Sequence, residues 1–127
     1  MKEPVSLTLI SLPKGEIDMA GDKVVHLSDE AFEKEVNQSP IPVLVDFWAS
    51  WCAPCKAISP VVDQLAEVFD GKVKICKMNV DECQKTPAQF GVRGIPTLIL
   101  FKEGKVVDQV VGVVPKHQLE GMLNKAL

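Results

Sequence analysis

Cys52 and Cys55 stand three positions apart in FWASWCAPCKAISP, residues 47–60, behind two tryptophans and ahead of a segment with helical spacing. Such a pair has three chemical uses: half of a tetrahedral metal site, a structural staple, or a dithiol that cycles with its disulfide. The remaining cysteines, Cys76 and Cys83, are separated by the six residues KMNVDE, and no closely spaced histidine pair replaces them, so the pattern of a zinc ribbon is missing. A chain of 127 residues with 46% hydrophobic residues can build a core that needs no staple. Cys52 also falls where an apolar strand gives way to a helix. Unpaired backbone N–H groups and the helix dipole favour an anion there, and such settings lower a thiol pKa from about 8.5 to roughly 3.5–7.5. Cys55, one turn into the helix, is expected to lie deeper and to ionise less. The two sulfurs are then unequal, with Cys52 suited to attack and Cys55 to resolve.

The flanking pattern supplies the elements that must hold this pair. Val43-Leu44-Val45-Asp46-Phe47-Trp48 is a nearly continuous apolar run, the mark of a central strand covered on both faces. After Cys52, apolar residues at Ile58, Val61, Val62, Leu65, Ala66 and Phe69 predict a helix with one buried face, which Pro60 should kink rather than end. Val24 to Leu27 reads as a strand, followed by a helix capped at Ser28 and running to about Asn37. Lys72 to Asn79 reads as a strand and Glu82 to Phe90 as a short helix. Thr97 to Phe101 and Val106 to Val111 form a hairpin about Glu103-Gly104, and Leu119, Met122, Leu123 and Ala126 space a final helix. The order from Val24 onward is β-α-β-α-β-α-β-β-α, a small α/β domain with a mixed sheet.

DFWASWCAPCK, KMNVD, FGVRGIPTLILF and the final VVG, in this order and at these intervals, resemble the thioredoxin family from about Asp22 to Leu127. The resemblance implies a thioredoxin fold, a mixed sheet of about five strands flanked by four helices, and a protein-disulfide reductase. Thioredoxin is itself among the known cases of the lowered thiol pKa quoted above. In the family Cys52 matches the nucleophile that forms a mixed disulfide with a protein substrate and Cys55 the thiol that releases the product, the two forming the redox-active disulfide. No cofactor is bound, and electrons come from NADPH through a flavoprotein thioredoxin reductase. Asp46, a carboxylate inside an apolar strand, must escape the core or accept a raised pKa. The family uses the matching aspartate behind the cysteines to move a proton at the resolving thiol, with Lys77 matching its lysine partner. Trp51, Ala53, Pro54, Gly94, Ile95, Pro96 and Gly112 match the substrate-binding surface, with Pro96 cis. Gly91 matches a further position of the same groove.

Other functions find less support. The net charge of −3, with 14 basic and 17 acidic residues interspersed, leaves no basic stripe for nucleic acid. No apolar run reaches the roughly 18 residues of a membrane span. The opening MKEPVSLTLISLPKG lacks a signal-peptide cleavage pattern, so a cytoplasmic monomer is expected, an exported form being the alternative. Residues 1–21 read as an N-terminal extension, an edge strand or mobile arm around Val5 to Leu12, and residues 22–127 as the domain. Ala53 stands where the family most often has glycine. Cys76 reads as a core residue, and Cys83, beside Asp81 and Glu82, as an exposed thiol kept protonated by its acidic neighbours and open to oxidation. His26 and His117 follow no spacing that ties them to Cys52. The competing class is a thioredoxin-fold binding or chaperone-like subunit with a secondary redox role; it would not require Cys52, Cys55, Asp46 and Pro96 together.

Overall fold

A computed structural model of the chain describes residues 23–127. The expected arm at residues 1–21 therefore lies outside the described residues. The elements in chain order are β1 (Val25–His26), α1 (Glu33–Asn37), β2 (Val43–Trp48), α2 (Ala53–Val68), β3 (Lys74–Asn79), α3 (Lys85–Gln89), β4 (Thr97–Lys102), β5 (Lys105–Val111) and α4 (Lys116–Lys125). One sheet holds all five strands in the order β1-β3-β2-β4-β5. β3 runs parallel to β1 and β2, whereas β4 runs antiparallel to β2 and β5, so the sheet is mixed as expected.

β2 is the central strand, and its residues Val43 to Phe47 are all buried. Alternation along the strand divides them between two cores. Leu44 joins Ile75 and Leu98 of the sheet, Ile58, Val62 and Leu65 of α2, and Leu119 and Leu123 of α4. Val43, Val45 and Phe47 face the opposite side, against Phe32 and Val36 around α1. There Phe32, Phe90 and Phe101 form a ring cluster with centroids 5.1–5.4 Å apart. By the same alternation Asp46 shares the face of Leu44, and Lys77 the face of Ile75, so both lie on the α2 side.

Several boundaries differ from those read in the sequence, each because local hydrogen bonds compete with the regular element. Before β3, the N–H groups of Lys72 and Val73 both donate to the Phe69 carbonyl at the end of α2, delaying the strand to Lys74. Ser28 does cap a turn, its hydroxyl accepting the Ala31 N–H at 3.1 Å. The helix proper begins only at Glu33, and its winding is wide, with the Gln38 N–H reaching the Glu33 carbonyl. Pro60 lies inside α2 without ending it.

Candidate active site

Cys52 is the N-cap of α2. Its backbone is extended, with φ −93° and ψ 108°, while its carbonyl already accepts the Lys56 N–H at 3.2 Å. Pro54 occupies the first turn, where a missing N–H leaves no helical bond unmade. The Cys52 Sγ accepts the Cys55 N–H at 3.1 Å, so one orphan donor of the helix end points at this sulfur. Cys52 and Cys55 are joined as a disulfide, their Cα atoms 5.3 Å apart. Cys55 is not distinctly the deeper of the two, as its place one turn into the helix would suggest. Both are nearly covered, at 4% and 3% exposure, and what distinguishes them is the hydrogen bond received by Cys52.

Three segments close around the pair. Ala49 and Trp48, at the end of β2, pack against both cysteines together with Val80 and Ile95. The Ile95–Pro96 bond is cis, and the Ile95 carbonyl oxygen lies 3.7 Å from the Cys52 Sγ. The Pro96 carbonyl accepts the Gly112 N–H at 2.8 Å, bringing the end of β5 beside this segment. Gly112 has φ +89°, a conformation that L side chains rarely adopt. Trp51 is 68% exposed, and its indole N–H donates to Asp81 at 2.9 Å, fixing the ring at the surface. Ala53, Pro54 and Gly94 are also exposed. A Cβ added at Gly94 would meet nothing within 4 Å, so internal packing does not demand a glycine there. Gly91 is tied to α3, ending that helix with φ +69° and donating to the Ala88 carbonyl.

Asp46 is 1% exposed, and burial pushes its carboxyl up to about 7 from 3.8, with Lys77 opposing the rise and Asp63 adding to it. The carboxylate thus stays in the core and takes the raised pKa, instead of facing water at a strand end. Lys77 is opposite Asp46 in the β2–β3 register and is also buried. Its ammonium pairs elsewhere than the family resemblance implies: it donates to the Ser59 hydroxyl at 2.7 Å and lies 2.9 Å from Asp63 Oδ1. Neither Ser59 nor Asp63 belongs to a motif of the sequence, although Cys55, Ser59 and Asp63 recur every four residues along α2 and so share one stripe.

Cys83 departs from its expectation. It is buried, because the Asn79 carbonyl accepts the N–H groups of Glu82 and Cys83 in a turn that aims the side chain inward. Its thiol lies 3.6 Å from the Leu27 carbonyl, among Leu27, Phe32 and Cys76. Burial first, then the charge of Asp29, raises its pKa, which agrees with the expectation of a protonated thiol. Cys76 is a core residue, pushed by burial up to about 12. Among the described residues no group of three or more His, Cys, Asp or Glu could hold a metal ion. Likewise among them, no helix is long and apolar enough to cross a membrane.

A reversible cysteine pair at the mouth of a strand–helix junction, beside a cis-proline segment on a five-stranded mixed sheet, defines a thiol–disulfide oxidoreductase of thioredoxin fold. The family model for thioredoxin matches residues 23–125, and the chain belongs to the thioredoxin family. It is 59% identical to the thioredoxin of Haemophilus influenzae over 103 residues, covering 81% of this chain and 96% of that one. It is 50% identical to the thioredoxin of Pseudomonas aeruginosa over 103 residues, 81% of this chain and 95% of that one. The thioredoxin of Synechocystis is 52% identical over 101 residues, 80% of this chain and 94% of its own.

Proposed function

We propose that the protein is a general protein-disulfide reductase in which Cys52 is the nucleophile and Cys55 the resolving thiol. The Cys52 thiolate attacks a substrate disulfide. A Cys52–substrate disulfide forms, the substrate disulfide breaks, and the first substrate sulfur leaves as a thiolate that takes a proton. Cys55 then gives its proton to the Asp46 carboxylate and attacks the Cys52 Sγ. The internal disulfide forms, the mixed disulfide breaks, and the second substrate sulfur departs as thiolate. Two electrons have passed from the dithiol to the substrate. The observation that carries this reading is the Cys52 Sγ held at the α2 N-terminus, accepting the Cys55 N–H.

Asp46 suits its role because a carboxyl titrating at about 7 can both take and return a proton at neutral pH. Lys77 acts on Asp46 through its charge. Trp51, Ala53, Pro54, Gly94, Ile95, Pro96 and Gly112 form the surface on which an extended substrate segment lies. The open space at Gly94 and the Ile95 carbonyl beside Cys52 support that assignment. The cysteines are the redox group, and electrons return from NADPH through a flavoprotein thioredoxin reductase. The protein works as a monomer in the cytoplasm. Insulin reduction followed by turbidity tests the function, first with dithiothreitol and then with a thioredoxin reductase and NADPH. Turnover in both is expected, and a protein inert with dithiothreitol refutes the reading.

A further inference from the structure

The Ser59–Lys77–Asp63 cluster lies beneath α2, beside Asp46, and the cysteine chemistry leaves Ser59 and Asp63 unused. Lys77 is directly across from Asp46 in the sheet and on the same face. A lysine on a flexible four-carbon stem next to a buried carboxylate would ordinarily pair with it, since attraction between opposite charges is strong away from water. Among the described residues no ion pair joins the two, and Asp46 Oδ1 is buried with no hydrogen-bond partner. The ammonium instead has two anchors on α2. The bond to Ser59 at 2.7 Å is an aligned hydrogen bond, whereas the 2.9 Å contact with Asp63 Oδ1 is a charge pair without hydrogen-bond alignment. Asp63 is partly exposed, although the Oδ1 that meets Lys77 is buried.

We propose that Ser59 and Asp63 are positioning residues that draw the Lys77 ammonium toward α2 and withhold it from Asp46, so that Asp46 remains a carboxyl able to exchange a proton with Cys55. The proposal rests on the proton-carrying role of Asp46 given above. Were Lys77 free to close on Asp46, the carboxylate would be stabilised as an anion and would fail as a proton donor near neutral pH. The charged groups facing Asp46 are Lys77 from β3 and Asp63 from α2; the residue opposite it on β4 is the aliphatic Leu98. Asp63 thus acts twice in one direction, by its own negative charge and by the lysine it holds.

NMR titration of the Asp46 side-chain carboxyl in the oxidised protein tests this, with Asp63→Asn and Ser59→Ala each made beside Lys77 and beside Lys77→Met. With Lys77 present, Asp63→Asn should lower the Asp46 midpoint by about one pH unit. With Lys77→Met the same substitution should lower it by less than half as much, because only direct repulsion is then removed. Ser59→Ala should give a smaller downward shift that vanishes with Lys77→Met, and it decides the matter if Asp63→Asn does not fold. An unmoved or raised midpoint, or equal shifts in both backgrounds, overturns the proposal. The pH profile of insulin reduction separates this from the role of Asp46: a profile that stays fixed while the NMR midpoint moves refutes proton carriage by Asp46 and leaves the holding of Lys77 established.

Discussion

Replacing Asp46 by asparagine should stabilise the protein, and more so as pH rises. The carboxyl is raised from 3.8 to about 7, chiefly by burial. Between those values the folded protein keeps a proton that the unfolded chain has lost. The unfolded state therefore binds fewer protons, and stability falls as pH increases through this window, the loss being complete above about pH 7. A rise of about 3 units at 1.36 kcal/mol each puts the full cost at roughly 4 kcal/mol. Asparagine carries no charge, yet its amide must also find partners in a site where Asp46 Oδ1 has none. The gain at about pH 8 should accordingly be roughly 2–4 kcal/mol, shrinking toward zero or reversing near pH 4. Urea denaturation of both oxidised proteins at a series of pH values measures it. The difference between them cancels groups common to both, such as Asp29, whose pKa is lowered by hydrogen bonds from Thr86 and Lys85 against a burial penalty that raises it. Asp29 has the opposite sign, supplying stability that is lost as pH falls. A difference that is flat with pH, or a variant less stable than the wild type at pH 8, refutes burial of an ionisable Asp46.

Cys55→Ser should accumulate a mixed disulfide through Cys52 when incubated with an oxidised protein, whereas Cys52→Ser should neither trap nor reduce it; equal trapping in mass spectra contradicts the assignment of roles. Pro54→His places a cationic or hydrogen-bonding side chain beside the Cys52 thiolate, worth roughly 1.5–3 kcal/mol, and should raise the reduction potential by about 30–60 mV in glutathione equilibration. A downward shift would show that thiolate stabilisation does not set the potential. In the native reduced protein iodoacetamide should label Cys52 first, because the α2 N-terminus favours its thiolate, leaving Cys76 and Cys83 for denaturant, because burial raises both of those thiols. Rapid native labelling of Cys83 would contradict its place in the core.

The central strand, the α2 helix and the strand–helix junction at Cys52 were legible because each rests on a strong local signal: a continuous apolar run, a helical period, and the change between them. Boundaries such as Lys74 and Lys85 were less so, since they depend on which carbonyl captures a given N–H in a turn. Cys83 shows the same limit more sharply. Its acidic neighbours suggested a surface, and only the turn made by the Asn79 carbonyl reverses the side chain into the core. The strand of Asp46 left two outcomes, escape from the core or a raised pKa, and its burial was implied by the family resemblance, but the choice made by Lys77 was implied by neither. The ammonium can reach either Asp46 across the sheet or Asp63 on the helix above, and only the packing of α2 over β3 decides between them. The four-residue spacing of Cys55, Ser59 and Asp63 was a signal in the sequence, with no indication there that a lysine from another element would meet it.

The reduction potential of the Cys52–Cys55 couple, measured by equilibration against glutathione, tests the reductase reading most directly. Helix-end stabilisation of the Cys52 thiolate draws the potential upward, but the uncharged Ala53-Pro54 between the sulfurs adds nothing to it, and the account predicts a couple still more negative than the roughly −220 to −260 mV of a cytosolic glutathione pool, so that the dithiol gives its electrons away. A potential on the oxidising side of glutathione would contradict it, making the protein an acceptor of electrons from its substrates.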